Sequence, residues 1–125
     1  MELKIIKKNI DSTTIDLIID KLIQNKYLND DYYCKCFIND KLKFTNMGSY
    51  QIINELKRKD IEQNIITKYH YLLANDIMNE RIKHLIEKSL KTAKDKSKLR
   101  NKLYNNLVRL GYPIDLVISN LNQSF

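Results

Sequence analysis

The sequence predicts an all-α fold, a tandem array of three-helix, helix-turn-helix-like repeats, and three observations carry that prediction. The first is internal repetition at a constant step of 51: Ile5-Ile6-Lys7-Lys8-Asn9-Ile10 aligns with Leu56-Lys57-Arg58-Lys59-Asp60-Ile61 and with Leu107-Val108-Arg109-Leu110-Gly111-Tyr112. The register holds downstream, where Ile15, Ile66 and Val117 coincide, as do Ile19, His70 and Leu121. Repeats of this size are small supersecondary units that bury their apolar faces on one another. The second observation is that 125 residues contain only two glycines and one proline, too little turn-forming material for an all-β chain. The third is apolar spacing at i, i+3 and i+4 through most of the chain.

Taken in order, Leu3 to Lys8 reads as the end of a helix, and Asp11-Ser12-Thr13-Thr14 offers N-cap side chains for the next. Ile15, Leu17, Ile18, Ile19, Leu22 and Ile23 then form a broad apolar stripe that Asn25 to Tyr27 should end. Asn29 or Asp30 caps a helix to about Lys41, with Tyr33/Phe37 and Cys34/Ile38 as i,i+4 pairs. Thr45 to Ser49 is a turn, and Tyr50 to Lys59 a helix with Ile52, Ile53 and Leu56 inward. Asp60-Ile61-Glu62 is a tight turn before a helix over Ile65–Leu73. A longer helix follows from Ile77 to about Lys91. Lys91 to Lys98 has almost no apolar content and reads as a solvated helix end or a basic connector. Leu99 to Leu110 is helical, closed by Gly111, and Pro113 opens a last helix over Ile114–Leu121. The resulting division is a partial first repeat over 1–28 lacking its first helix, a three-helix repeat over 29–75, and a basic three-helix repeat over 76–125. A repeat short of one helix should leave part of its apolar face exposed.

Net charge is +7, and it is unevenly spread. From Ile77 onward ten Lys/Arg face four acids (Glu80, Glu87, Asp95, Asp115), so this half carries nearly all the excess. Such density suits a polyanion or an acidic protein surface. No apolar run approaches the ~20 residues that span a bilayer, and Met1-Glu2-Leu3-Lys4 lacks the apolar stretch of a signal peptide; a cytoplasmic location is expected.

Catalytic chemistry finds little purchase. Cys34 and Cys36 are two apart, roughly 200° around a helix, and cannot grip one ion together. A reduced pair is expected, Cys34 buried and Cys36 partly exposed. His70, flanked by Tyr69 and Tyr71, reads as a buried or half-buried histidine in an aromatic cluster rather than a general base. Asp30-Asp31 reads as a helix cap rather than a carboxylate pair. No metal or cofactor is expected, and no Gly-rich phosphate loop is present. Of the eight tyrosines, Tyr33, Tyr69, Tyr104 and Tyr112 fall on apolar stripes, whereas Tyr32, Tyr50 and Tyr71 could face a partner.

The run Tyr27-Leu28-Asn29-Asp30-Asp31-Tyr32-Tyr33-Cys34, with Phe37-Ile38 and then Gly48-Ser49-Tyr50-Gln51-Ile52-Ile53-Asn54-Glu55-Leu56-Lys57-Arg58-Lys59-Asp60-Ile61, resembles the RecX family, bacterial regulators of the RecA recombinase. Lys102 to Leu107, continued by Arg109-Leu110-Gly111-Tyr112, resembles that family's C-terminal repeat. The likeness covers nearly the whole chain. It departs at Asp60, where the family pattern has Gly, at Cys34, where a small Ala is common, and in the absent first helix. The resemblance implies a non-enzymatic modulator, expected to inhibit, that binds the RecA filament on single-stranded DNA and DNA itself. It would thereby act on strand exchange, ATP hydrolysis and the co-protease role in the SOS response, as a monomer. The contact candidates are Lys57, Arg58, Lys59 and Arg109 at helix ends, and Lys88, Lys91, Lys94, Lys96, Lys98, Arg100 and Lys102 in the basic half. At the helix ends the charge also offsets the dipole. A plain DNA-binding helical protein and a protein–protein adaptor are the competing readings.

Overall fold

The computed structural model describes residues 12–125. The described residues are helical, with no strand among them: α1 (Ser12–Phe44), α2 (Ser49–Arg58), α3 (Gln63–Lys68) followed by a 3₁₀ turn (His70–Leu73), α4 (Asn75–Thr92), α5 (Leu99–Leu110) and α6 (Ile114–Ser124). Two compact units are distinguished, Met1–Tyr33 and Cys34–Phe125. The expected helix end at Leu3–Lys8 lies outside the described residues.

The expected break near Asn25–Tyr27 does not occur, because α1 runs unbroken from Ser12 to Phe44. No glycine or proline stands in that span, and an asparagine in a helix interior costs only a fraction of a kcal/mol. In the first unit, Leu17, Leu22, Ile23 and Leu28 are exposed, as is Ile19, while Ile15 and Ile18 are half-buried. The stripe read from sequence is therefore largely open to solvent.

In the second unit the core draws on every helix. Cys34 and Ile38 of α1, Ile52 and Leu56 of α2, Ile65 and Ile66 of α3, Met78, Ile82 and Ile86 of α4, Leu107 of α5, and Val117 and Leu121 of α6 are all buried. Each such side chain contributes about 1.5–3 kcal/mol by leaving water. The helix α6 packs on α4 and α5, and α2 packs on α3. Between α4 and α6, Asn120 Nδ2 donates to Asn79 Oδ1 at 2.7 Å and to Leu116 O at 2.8 Å, which satisfies a buried amide.

The step of 51 reappears in backbone geometry. After α2, the Asp60 amide donates to Lys57 O and the Ile61 amide to Leu56 O; after α5, the Gly111 amide donates to Val108 O and the Tyr112 amide to Leu107 O. Both are the paired hydrogen bonds of a left-handed helix stop. Asp60 has φ 61° and Gly111 φ 96°. Aspartate can take this conformation, at a cost that glycine avoids.

Two further expectations need correction. The helix foreseen over Ile65–Leu73 is α3 plus a 3₁₀ turn, because Tyr69 leaves the helical register at φ −101°, ψ 9°. That change of pitch buries Tyr69 and Leu73 and turns His70 outward, so His70 is exposed rather than part of the core. Tyr33 is 40% exposed, while Tyr112 is buried and Tyr104 half-buried.

Candidate partner-binding surface

The C-terminal end of α1 and the turn after it are built by residues from three elements. Thr45 Oγ1 donates to Lys41 O at 2.6 Å and accepts the Met47 amide at 3.2 Å. Arg81 of α4 then serves three further carbonyls, with Nη1 to Leu42 O at 2.6 Å, Nη2 to Thr45 O at 2.7 Å and Nη2 to Met47 O at 3.3 Å. Its Nε reaches Tyr112 Oη at 3.3 Å, and that hydroxyl donates to Asn46 O at 2.7 Å. A guanidinium at a helix C-terminus satisfies orphan carbonyls and opposes the dipole. Burial pushes the Tyr112 phenol above its ordinary range, and the Arg81 charge partly offsets that rise.

This clasp holds the 45–48 turn, and the turn docks α2 on α5. The Gly48 amide donates to Leu110 O at 2.7 Å and the Tyr50 amide to Gly111 O at 2.9 Å. The carbonyls of Leu110 and Gly111 at the end of α5 are thus taken by the amides of Gly48 and Tyr50 at the start of α2. The approach requires glycine at position 48, where a Cβ would stand 2.5 Å from Gly111 C and from Tyr112 N.

Beside this junction lies a cleft of about 270 Å³ lined by Tyr50, Gln51, Asn54, Glu55, Arg58, Val108, Arg109 and Gly111. Two of the candidate contact residues, Arg58 and Arg109, are brought into it from the last turns of α2 and α5. Both arginines are exposed, and Tyr50 is 58% exposed. Glu55 lies 3.7 Å from Lys41 Nζ. Lys57 is exposed on the same turn as Arg58. Lys59 has a packing role, its Nζ standing 5.8 Å from the centre of the Phe37 ring.

The denser basic group lies elsewhere. Lys88 and Lys91 are exposed near the end of α4. That helix stops at Thr92, and Lys94, Lys96 and Lys98 are exposed on the connector to α5. Within the connector Asp95 Oδ1 accepts the Ser97 amide at 2.9 Å, and hydrogen bonds from Ser97 hold the Asp95 carboxyl below the usual range. Lys102 lines a recess of about 410 Å³ with Ser89, Thr92, Ala93, Leu99, Leu103 and Asn106. Arg100 is tethered, its Nη2 donating to Asn122 Oδ1 at 2.7 Å.

Sequence reading missed Arg81, which it counted only toward net charge. A signal was present: just four of the 22 basic residues are arginine. Arg58 and Arg109 share the cleft, Arg81 bridges three carbonyls and Arg100 holds Asn122. Planar, multi-donor tasks favour arginine over lysine. Cys34 is buried and Cys36 half-buried, both as free thiols. No helix among the described residues is long and apolar enough to cross a membrane.

No protein-family model matches the chain. It is 32% identical over 118 residues to the regulatory protein RecX of Finegoldia magna, with 90% of this chain and 57% of that protein covered. It is 31% identical to the regulatory protein RecX of Clostridium tetani, covering 96% of this chain and 56% of the relative. The chain therefore spans little more than half the length of these relatives. Its fold is that of the crystal structure of RecX from Lactobacillus salivarius, with a TM-score of 0.70, 24% identity, and 96% of this chain and 79% of that one covered. Over the length it shares with these proteins, the chain is similar to the RecX regulatory proteins in sequence, at about 30% identity, and in fold.

Proposed function

We infer that this chain is a non-enzymatic, cytoplasmic regulator that binds the RecA filament on single-stranded DNA and inhibits recombinase, ATPase and co-protease activity. Its array comprises a partial repeat over 1–28, a three-helix repeat over 29–75 and a basic three-helix repeat over 76–125, acting as a monomer. The observation that supports this most is the union of likeness and surface. In a chain similar to the RecX proteins, Lys94, Lys96 and Lys98 project from one connector while Arg58 and Arg109 share a cleft. A filament groove lined by protein and phosphate charge suits such exposed basic groups, and net charge steers the encounter.

The test is single-strand-dependent ATP hydrolysis by RecA, titrated with this protein at two salt concentrations. Inhibition well below one chain per RecA protomer, persisting at the higher salt, supports the reading. Inhibition only at saturating protein and low salt indicates competition for DNA, as for a general DNA-binding protein. No effect at all indicates an adaptor. Replacing Lys94, Lys96 and Lys98 with Ala should raise the concentration needed for inhibition severalfold at unchanged helical content, and an unchanged titration removes the connector from the interface.

A further inference from the structure

Two helix faces leave apolar ridges in solvent, and comparison at the step of 51 shows that neither is ordinary. On α6, Ile114 and Ile118 stand four apart in line with Asn122, and Phe125 falls on the same side; all four are exposed. The step equates Ile114 and Ile118 with Gln63 and Thr67 of α3. Those two are exposed as well and serve each other, Gln63 Nε2 donating to Thr67 Oγ1 at 3.2 Å. A polar pair thus suffices at these positions in one repeat, where the next carries bare isoleucines. In the first unit, Ile19, Ile23 and Tyr27 form a ridge of α1 with Leu22 beside it, each 41–63% exposed. The same step equates Leu22 and Tyr27 with Leu73 and Met78, which the second unit buries. Exposed apolar ridges of this kind mark contact faces.

The charges beside the two ridges are opposite. Asp16 and Asp20, four apart and exposed, flank the α1 ridge, and residues 12–33 hold four aspartates against two lysines. Beside the α6 ridge, Arg100 Nη2 donates to Asn122 Oδ1 at 2.7 Å, which leaves most of that exposed guanidinium's N–H groups for another acceptor. Residues 93–125 hold six Lys/Arg against two acids. A lipid surface suits the α1 ridge poorly, because helices that lie on membranes carry Lys/Arg on the polar face where this one carries Asp16 and Asp20. Setting either face against its own copy opposes like charge to like. We propose that the α1 ridge of one copy receives the α6 ridge of another, with Asp16 and Asp20 of the first meeting Arg100 of the second. Rows of side chains four apart interlock in the commonest mode of helix packing. Because the two faces differ, the contact is heterologous and repeats from copy to copy. A ridge of three apolar side chains covers far less than the ~1,600 Å² of a stable interface, which places Kd on the order of 100 μM and leaves the dilute chain a monomer. Copies held side by side on a filament have effective concentrations of about 1 mM, above that Kd, so the contact makes their binding cooperative. Only this consequence rests on the regulatory reading; the contact itself is tested without RecA or DNA, so the two can fail separately.

Sedimentation equilibrium of the chain alone reads the contact. The weight-average mass should climb above 14.9 kDa between about 10 and about 300 μM without a plateau at the dimer, and less steeply in high salt. Ile19→Ser with Ile23→Ser removes the α1 ridge, and Ile114→Ser with Ile118→Ser the α6 ridge; all four side chains are exposed, so circular dichroism should not change. Each variant alone should stay at monomer mass. An equimolar mixture, in which each variant supplies the face that the other lacks, should form a one-to-one pair. Asp16→Arg with Asp20→Arg should weaken self-association severalfold, Arg100→Asp likewise, and the three together should recover most of it. A wild type that holds monomer mass to about 300 μM overturns the proposal. So does a plateau at twice the monomer mass, self-association of either ridge variant as strong as wild type, or a mixture no heavier than its components.

Discussion

Replacing Arg81 with Met should destabilise the second unit severely for an exposed-looking lysine-rich chain, and the size follows from the bonds lost. Met keeps an unbranched stem against Leu85 and Tyr112, which line the same recess, and removes only the guanidinium. Two short bonds disappear, to Leu42 O at 2.6 Å and Thr45 O at 2.7 Å, with two longer ones to Met47 O and Tyr112 Oη at 3.3 Å. Charge-assisted bonds contribute about 1.5–3 kcal/mol each when buried. Arg81 is only half-buried, so about 1 kcal/mol apiece for the short pair is the better figure, and the long pair together adds about 0.5 kcal/mol. Loss of a cation at the end of α1 adds about 0.5 kcal/mol. The sum, about 3 kcal/mol, is a large part of a typical 5–15 kcal/mol stability. For a unit of this size it lowers the unfolding midpoint by about 12 °C. Thermal unfolding followed by circular dichroism measures it, with Arg81→Lys as the graded control. Lysine carries one point of charge and can serve one carbonyl well, so about half the loss should return. A midpoint within 2–3 °C of wild type for Arg81→Met would refute the reasoning, because water would then be serving those carbonyls.

The remaining predictions concern the turns and the buried phenol. Gly48→Ala should cost about 2–4 kcal/mol, since its Cβ would meet backbone atoms of Gly111 and Tyr112 at 2.5 Å that cannot yield as a side-chain tip would; urea unfolding reads this out. Asp60→Gly should stabilise by about 0.5–1 kcal/mol by relieving a positive φ of 61°, whereas Gly111→Ala, at φ 96° and against Gln51, should destabilise. Tyr112 should ionise above the ordinary phenol range when followed by absorbance. A folded-state pKa raised above its unfolded value means that the stabilisation is fully present below the ordinary phenol range and is lost as pH rises through and beyond it. Tyr112→Phe should remove both the late titration and the alkaline loss of stability.

Much of the fold was legible in the sequence because two kinds of signal agreed. Apolar spacing and the repeat register located Ile52, Leu56, Leu107 and Val117 in the core, and the step of 51 located the paired helix stops at Asp60 and Gly111. Local signals failed where helix propensity is nearly flat. Nothing in Asn25 to Asp31 compels a break, and α1 passes through. At Tyr69 a change from α to 3₁₀ pitch is a tertiary outcome that no single residue announces, and His70 moved outward with it. Of the surface, sequence marked Arg58 and Arg109 as equivalent positions in successive repeats. It could not show that they share a cleft, because that depends on the Gly48–Gly111 approach between elements far apart in the chain. Arg81 was obscured for the same reason, its acceptors being backbone carbonyls 34–39 positions away.

The most direct test of the regulatory reading compares affinity for RecA-coated single-stranded DNA with affinity for the same strand bare, at a fixed ionic strength near 0.15 M. The account predicts binding to the filament at least about tenfold tighter, corresponding to roughly 1.4 kcal/mol of added contact with protein. Equal affinity for the two, or tighter binding to the bare strand, would contradict it.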